Sequence, residues 1–315
     1  MKVLIAPLNW GLGHATRCVS LIHQYREQGH EVILGGDGDS LLWLKRYFPT
    51  LRLINLAPLS LSYSSGNSQV GAMLKAWPVI VRFSLSDHYQ LKALQTVEHF
   101  DLIISDNRFG LYTSGVRCIY MTHQLTIRLP RPWRWLEPLA YSMHKWVYRH
   151  YDEVWVPDYA QQGLSGELGH PKQVDRRVRY IGPQSRFEHP FELPEKKDKW
   201  NVVAVLSGLE PQRSIFEQEL ADRYSGKSER VLIVRGKIGL PQVRLTHGNV
   251  VLVPWLKDED LVNALCGADK VIVRSGYSSI MDMQKLGLLQ KTEFHPTPGQ
   301  SEQEYLAEWL PHYLA

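Results

Sequence analysis

Two α/β domains, each built on a mostly parallel sheet, are predicted by three features of the 315-residue chain. Short apolar runs alternate with helix-like stretches along most of its length. Each half begins with an apolar strand that runs into a glycine-containing turn. Between the halves, from about 182 to 200, the periodicity lapses into a stretch rich in proline and charge. Such alternation builds βα units, and a break without apolar periodicity is where domain boundaries fall. The expected organisation is an N-terminal domain over 1–183, a linker over 184–199 and a C-terminal domain over 200–315.

In the first half, strands are expected over 2–6, 31–35, 51–56, 102–105, 118–122 and 153–156, and a helix over 15–27. In the second half, strands are expected over 201–206, 231–234, 250–253 and 271–273. Helices are expected over 214–224, 258–266 and 277–285, the second with acidic residues at its positive end. Two such domains facing each other would form a cleft at the carboxyl ends of their strands.

Composition bounds the class. Hydrophobic residues make up 44% of the chain and charged residues 22%, the balance of a globular protein. No apolar run is long enough to span a bilayer, and the N-terminus enters a strand with no signal-peptide pattern. Cys18, Cys118 and Cys266 lie far apart, without metal-ligand spacing. They read as buried small hydrophobes in a reducing compartment, which points to the cytoplasm. Residues 1–180 hold 20 Lys and Arg against 14 Asp and Glu, and the remainder 16 against 18. That asymmetry is too mild for a nucleic-acid binder but allows an anionic lipid or phosphate partner.

The run Gly11-Leu12-Gly13-His14 follows the first strand and opens the first helix. Glycines let backbone approach a ligand closely, and a helix N-terminus offers N–H groups to an anion. A dinucleotide fingerprint would place a third glycine where this chain has Thr16, followed by Arg17. The loop therefore reads as one that presents an imidazole at its tip. In the second half, four polar segments follow strands: 207–213, 254–256, 274–279 and 296–303. Ser275-Gly276, opening a helix, suits a diphosphate, Arg213 would add a charge, and Asp282 lies where a carboxylate could accept from ribose hydroxyls.

With these motifs the chain resembles the GT-B glycosyltransferases. It is most similar to the group that contains the bacterial N-acetylglucosaminyltransferase of the cell-wall lipid intermediate, and more distantly to the UDP-glucuronosyl and plant enzymes. The resemblance implies a GT-B fold and carries roles to individual residues. His14 matches the loop histidine that acts as base, and Asp106 the aspartate that pairs with it in plant-type enzymes. Gly13, Ser207 and Gly208 fall in the two glycine loops. Arg274, Ser275 and Gly276 form the donor motif, and Leu256 lies in the loop that meets the nucleobase. Asp282 stands for a ribose-binding glutamate, Gln303 matches a sugar-contacting glutamine, and Gln124, beside His123, lies on the acceptor side. The chain departs from the family in the polar run Glu210-Pro211-Gln212-Arg213, and in the polar run 290–293 where an apolar strand is expected. It also ends at Ala315, where family members continue to a final helix that crosses back to the N-domain. Either that closing element is missing or the last helix is foreshortened.

The chemistry follows from these groups. An inverting transfer needs a base for the acceptor hydroxyl and positive potential on the departing diphosphate. His14 supplies the first, with Asp106 fixing its tautomer; the helix after Gly276 and Arg213 supply the second. The donor would be a UDP-sugar, with no metal or other cofactor. Asp37-Gly38-Asp39 has the spacing of a metal-binding pair but reads as a polar turn. Each residue has a plainer alternative: a structural histidine, an Asp106 helix cap, a solvated Arg213, a surface Asp282, a packed His123. The stretch 128–149 interleaves Arg128, Arg131, Arg134, Lys145 and Arg149 with Trp133, Trp135 and Trp146. It reads either as a basic segment packed on the N-domain or as a dock for the inner face of an anionic membrane, meeting a lipid-linked acceptor. Two further functions share the expected fold: a nucleotide-sugar 2-epimerase and a non-catalytic sugar-nucleotide-binding subunit. Neither glycine loop fits a dinucleotide, which argues against a dehydrogenase.

Overall fold

The computed structural model of the protein describes residues 1–59, 69–188 and 199–314, without the side chains of 69–77 and 131. The chain divides into two compact units, Met1–Gln184 and Ser185–Ala315. Of the expected linker, 189–198 lie outside the described residues, and 185–188 belong to the second unit.

The first unit is a seven-stranded sheet in the order β3-β2-β1-β4-β5-β6-β7, parallel throughout. Its strands are β1 (Lys2–Pro7), β2 (Glu31–Gly36), β3 (Arg52–Asn55), β4 (Leu102–Asp106), β5 (Arg117–Met121), β6 (Glu153–Val156) and β7 (Val178–Tyr180). The helices are α1 (Gly13–Glu27), α2 (Gly38–Tyr47), α3 (Gln69–Gln95) and α4 (Glu137–Tyr148). Both sheet faces are covered, which is why the strands are apolar runs rather than alternating ones. Val3, Ile5, Leu34 and Ile104 pack with Cys18, Val19 and Ile22 of α1 on one face. Leu4, Ala6, Ile33, Ile103 and Tyr120 pack with Leu91 and Tyr148 on the other. The edge strand β7 has no counterpart in the sequence reading, because three residues between charged neighbours carry no periodic signal.

The second unit has the order β10-β11-β9-β8-β12-β13. Its strands are β8 (Val202–Val205), β9 (Val231–Val234), β10 (Leu245–His247), β11 (Val250–Val253), β12 (Lys270–Arg274) and β13 (Thr292–His295). Helices α5 (Gln212–Tyr224), α6 (Asp258–Gly267), α7 (Tyr277–Lys285) and α8 (Ser301–Leu314) complete it. Only β10 runs antiparallel, as a short exposed edge strand on β11. The polar run at 290–293, expected to break the strand pattern, enters β13 instead. This strand is the opposite edge of the sheet and all four of its residues are half-buried, so polar side chains are tolerated there.

Both sheets reverse strand order beside their first strand: between β1 and β4, and between β8 and β12. In open parallel sheets, ligand sites form at the carboxyl ends of the strands at such switch points. In the first unit a buried ion cluster braces the switch point. Arg108, fully buried, donates from Nε and Nη2 to both oxygens of Asp87 on α3, at 3.1 and 2.7 Å. Its Nη1 donates to Asp37 Oδ1 at 2.8 Å. Asp37 accepts from Asn9 Nδ2 at 3.0 Å, while Ser40 Oγ donates to the Gly11 carbonyl at 3.2 Å. Asp37-Gly38-Asp39 is therefore not simply a polar turn: Asp37 is a buried anion that ties the loop after β1 to α3. Gly11 needs its glycine, since its φ is +75°.

Removing Arg108 would strand two buried carboxylates. Arg108→Met is expected to lower unfolding free energy in urea by about 3–5 kcal/mol. Unchanged stability would show that the cluster is not what braces this loop.

Candidate active site

The carboxyl ends of β1, β4 and β5 lie side by side, with Pro7 paired to Asp106 and Asp106 to Met121. Asp106 ends β4 and is fully buried; the next residue, Asn107, turns the chain out of the sheet at φ +58°. It is not a helix cap. His14 is the second residue of α1, in its first turn rather than at the tip of the loop. Arg17 follows three positions later on the same helix face. Both reach Asp106. His14 Nδ1 lies 3.0 Å from Asp106 Oδ1. Arg17 donates from Nε to Oδ2 at 2.7 Å and from Nη2 to Oδ1. The Cys18 thiol also points at Oδ2, at 3.7 Å. Arg17 Nη1 continues to His123 Nδ1 at 3.0 Å, and His123 Nε2 lies 3.4 Å from the Gln124 side-chain amide.

The structure thus brings together His14, Asp106, His123 and Gln124, all expected, and Arg17, which was not. The signal for Arg17 was its spacing of three residues from His14, which puts both on one face of α1. His123 is a packed histidine, 5% exposed, yet it is wired into the cluster. His14 keeps 15% of its side chain exposed. An Asp106 carboxylate only accepts, so Nδ1 of His14 carries the proton and Nε2 carries the lone pair. Among the described residues, Nε2 has no hydrogen-bond partner.

The electrostatics favour a neutral imidazole. Burial pulls His14 below its ordinary value; Asp106 opposes this and Arg17 reinforces it. The helix N-terminus acts in the same direction, since its positive end disfavours an imidazolium. Burial alone would raise Asp106, but the Arg17 guanidinium and His14 outweigh it and hold the carboxyl well below the usual range. Asp106 is therefore an anion at any working pH.

In the second unit, Ser207 and Gly208 follow β8, and Ser275 and Gly276 follow β12, so both loops flank the switch point. Gly208 has φ +96°, which a side chain would oppose. Gly276 caps α7 in extended conformation and directs the positive end of the helix toward this loop. The polar side chains expected to meet a donor are engaged among themselves. Arg213 donates from Nε and Nη2 to Glu210 and from Nη1 to the Gly236 carbonyl. Arg274 donates to the carbonyls of Pro296 and Gln212, lies 3.8 Å over the Phe216 ring, and is lowered to about 10 by burial. Ser275 Oγ donates to the Gln303 carbonyl, while Gln303 accepts from the Thr297 N–H and donates to Gln300. Leu256 lines a cavity of about 300 Å³ with Trp200, Arg244 and Asp260.

Asp282 is not a surface carboxylate. Ser185 Oγ donates to its Oδ1 at 2.6 Å, and Arg186 Nε stands 3.8 Å from Oδ2 while Arg186 Nη1 reaches Asp258 at 3.3 Å. Burial raises Asp282 to about 6, against the lowering by Arg186 and Ser185. A folded-state value above the unfolded one means that folding binds a proton between about pH 4 and 6. The contribution of Asp282 to stability is therefore fully present below pH 4 and lost as pH rises through 6. Asp282→Asn should flatten that part of the stability–pH curve, by about 2 kcal/mol across the window. An unchanged slope in denaturant titrations at pH 4 and 6.5 would refute this.

Among the described residues, no group of three His, Cys, Asp or Glu side chains is placed to hold a metal, and no helix is long and apolar enough to cross a membrane. Cys18 and Cys118 are buried, but Cys266, near the end of α6, is only half-buried. In the basic stretch, α4 packs inward through His144 and Tyr148; Trp135, Leu139 and Trp146 remain 73%, 57% and 55% exposed, with Arg134, Lys145 and Arg149 exposed around them.

No protein-family model matches the chain. A curated protein of Methanosarcina acetivorans, named an uncharacterised glycosyltransferase, is 23% identical over 96% of this chain and 82% of its own length. Among solved structures, the UGT2 protein of Phytolacca americana, in complex with UDP-2-fluoro-glucose and pterostilbene, superposes with a TM-score of 0.59 at 15% identity. That match covers 99% of this chain and 84% of the other. The glycosyltransferase SnogD of Streptomyces nogalater superposes with a TM-score of 0.54 at 15% identity, over 99% and 96%. The chain is thus similar along nearly its whole length to curated glycosyltransferases, and its fold is that of the GT-B glycosyltransferases.

Proposed function

We propose that the protein is an inverting, metal-independent glycosyltransferase that moves a sugar from a UDP-sugar to an acceptor hydroxyl, with His14 as base. The carrying observation is the His14–Asp106 pair at the switch point of the first sheet, in a chain with this fold. The donor assignment draws on the Phytolacca americana structure, which holds UDP-2-fluoro-glucose. The choice of N-acetylglucosamine as sugar draws on the motif resemblance alone.

In this reading, Nε2 of His14 takes the proton of the acceptor hydroxyl as its oxygen attacks the anomeric carbon. The bond from that carbon to the diphosphate oxygen breaks, UDP leaves, and attack from the opposite face inverts the configuration. Asp106 stabilises the imidazolium that forms. Backbone N–H groups and the positive end of α7 at Gly276 meet the charge growing on the diphosphate. The exposed tryptophans and basic residues around α4 extend the reading to a lipid-linked acceptor met at an anionic inner membrane face.

A second reading, a subunit that binds sugar nucleotide without transferring it, is favoured by one observation. Arg213 and Arg274 make their hydrogen bonds inside the second unit. Calorimetry with UDP, GDP and TDP in the absence of magnesium, followed by turnover assays with UDP-sugars, separates the readings. Selective UDP binding with turnover supports the enzyme; binding without turnover leaves the subunit.

His14→Ala should reduce transfer about a hundredfold or more while UDP binding stays nearly intact. Retained turnover would remove His14 as base. Because burial lowers His14, the acid limb of kcat/KM should fall below the ordinary histidine value of about 6.5. In flotation assays the protein should bind anionic vesicles in preference to neutral ones; equal binding to both would sink the membrane extension.

A further inference from the structure

The segment 158–170, which follows β6 at the carboxyl end of the first sheet, closes around the imidazole of His170. The two ring nitrogens face two backbone carbonyls: Nδ1 lies 3.0 Å from the Gly166 oxygen and Nε2 2.9 Å from the Tyr159 oxygen. A carbonyl oxygen only accepts, so each contact is a hydrogen bond only where the nitrogen carries a proton. A neutral imidazole carries one proton and would set a bare lone pair against the other oxygen. Both bonds together require an imidazolium. Its counter-ion stands beside it. Asp158, fully buried, accepts from the N–H groups of Tyr159 and Leu164 on Oδ1, and from the N–H and hydroxyl of Ser165 on Oδ2. Four donors face that carboxylate, and among the described residues its one ionic partner is His170, with Nδ1 3.9 Å from Oδ2. Tyr180 of β7 stacks on the imidazole at 4.9 Å between ring centroids. A methyl at Gly163 would lie 2.0 Å from Cε1, so the ring is held flush on the backbone. The His170 side chain stays 24% exposed, enough for its proton to exchange with water.

The same segment carries the loop after β5. The Thr126 N–H donates to the Leu168 carbonyl at 2.9 Å and the Thr126 hydroxyl to the Glu167 carbonyl at 3.0 Å, while the Glu167 side chain turns to Arg128. Thr126 stands two positions beyond Gln124 on that loop. We propose that His170 is a protonation-dependent latch: as an imidazolium it closes segment 158–170 and seats the loop that carries His123 and Gln124, and loss of one proton loosens that loop. The ionisable groups that face the ring are Asp158 from its own segment and Tyr180 from β7; among the described residues no other ionisable side chain is in contact with it. Histidine is the side chain whose charge ordinarily changes near neutral pH. The hold is therefore complete on the acid side of the His170 titration and is lost as pH rises through it. Its consequence for the site rests on the acceptor-side reading of Gln124: that face is ordered in mild acid and loosens toward alkaline pH. The proton chemistry itself rests only on the hydrogen bonds of this segment.

Amide hydrogen exchange of the intact protein, followed by NMR together with the His170 ring nitrogens between about pH 5.5 and 8.5, tests this without sugar transfer. Both nitrogens should be protonated at the acid end. The Thr126 protection factor, corrected for the intrinsic pH dependence of exchange, should fall about tenfold as the ring loses a proton. The amide of Ile104 in β4 should keep its protection, since the latch acts locally. A ring with one bare nitrogen at the acid end, or one that does not titrate in this range, overturns the proposal. So does a Thr126 protection that stays constant while the ring titrates, or that falls only in step with Ile104. His170→Phe keeps a ring against Tyr180 but offers no donor, and its Thr126 protection should be low and independent of pH. A variant profile that still follows the wild-type titration assigns the effect to another group and overturns the latch; should that variant not fold, the wild-type titration still decides. With no nucleotide or acceptor added, each outcome is separate from whether the protein transfers sugar.

Discussion

The first unit depends on one interaction, the ion pair between Arg17 and Asp106. Both partners are out of water, Arg17 at 1% exposure and Asp106 at 0%. Separately, either would be costly to bury; together they form a two-pronged charge-assisted contact that offsets desolvation. The pair fixes α1 against the end of β4. It also sets the protonation of everything around it. Asp106 stays ionised and orients His14, while Arg17 occupies Oδ2 and shares Oδ1. An aspartate that served His14 alone would stabilise an imidazolium more strongly. Shared with a guanidinium, it leaves the imidazole neutral and ready to accept a proton.

Around this centre the fold supplies a second layer of buried charge. Arg108, Asp37 and Asp87 link the loop after β1 to α3 through Asn9 of that loop, and Ser40 bonds to the loop's Gly11 carbonyl. His14 and Asp106 sit at a helix start and a strand end, where backbone geometry is set by the sheet. The loop preceding His14 is clamped to elements distant in sequence. That combination gives the imidazole a fixed orientation with only its outer nitrogen accessible.

The second unit repeats the topology with a different use of polar groups. Its loops also flank a switch point, yet Arg213, Arg274, Gln303 and Asp282 bond to neighbouring loops within the unit. What the loops after β8 and β12 offer a ligand is mainly backbone: the left-handed turn at Gly208 and the N-terminus of α7. A diphosphate is well matched to such N–H groups, because the positive end of a helix needs no side-chain cation to attract it.

The amino-acid sequence by itself determined the fold class. Apolar runs spaced by helical patterns specify parallel βα units because strands covered on both faces must be apolar throughout. The motif at 11–14 drew attention to His14, and the family resemblance, not the local pattern, pointed to Asp106. The short edge strands β7, β10 and β13 were not legible, since edges tolerate polar and brief sequences. Nor were the partners of buried charges: Arg17 with His123, Arg108 with Asp37 and Asp87, and Arg186 with Asp282 are separated by 106, 71, 21 and 96 positions. Local periodicity encodes which face of an element is buried. Which anion a buried cation meets is decided only when distant strand ends are brought side by side, because an ion pair depends on separation in space and dielectric, neither of which is written in neighbouring residues.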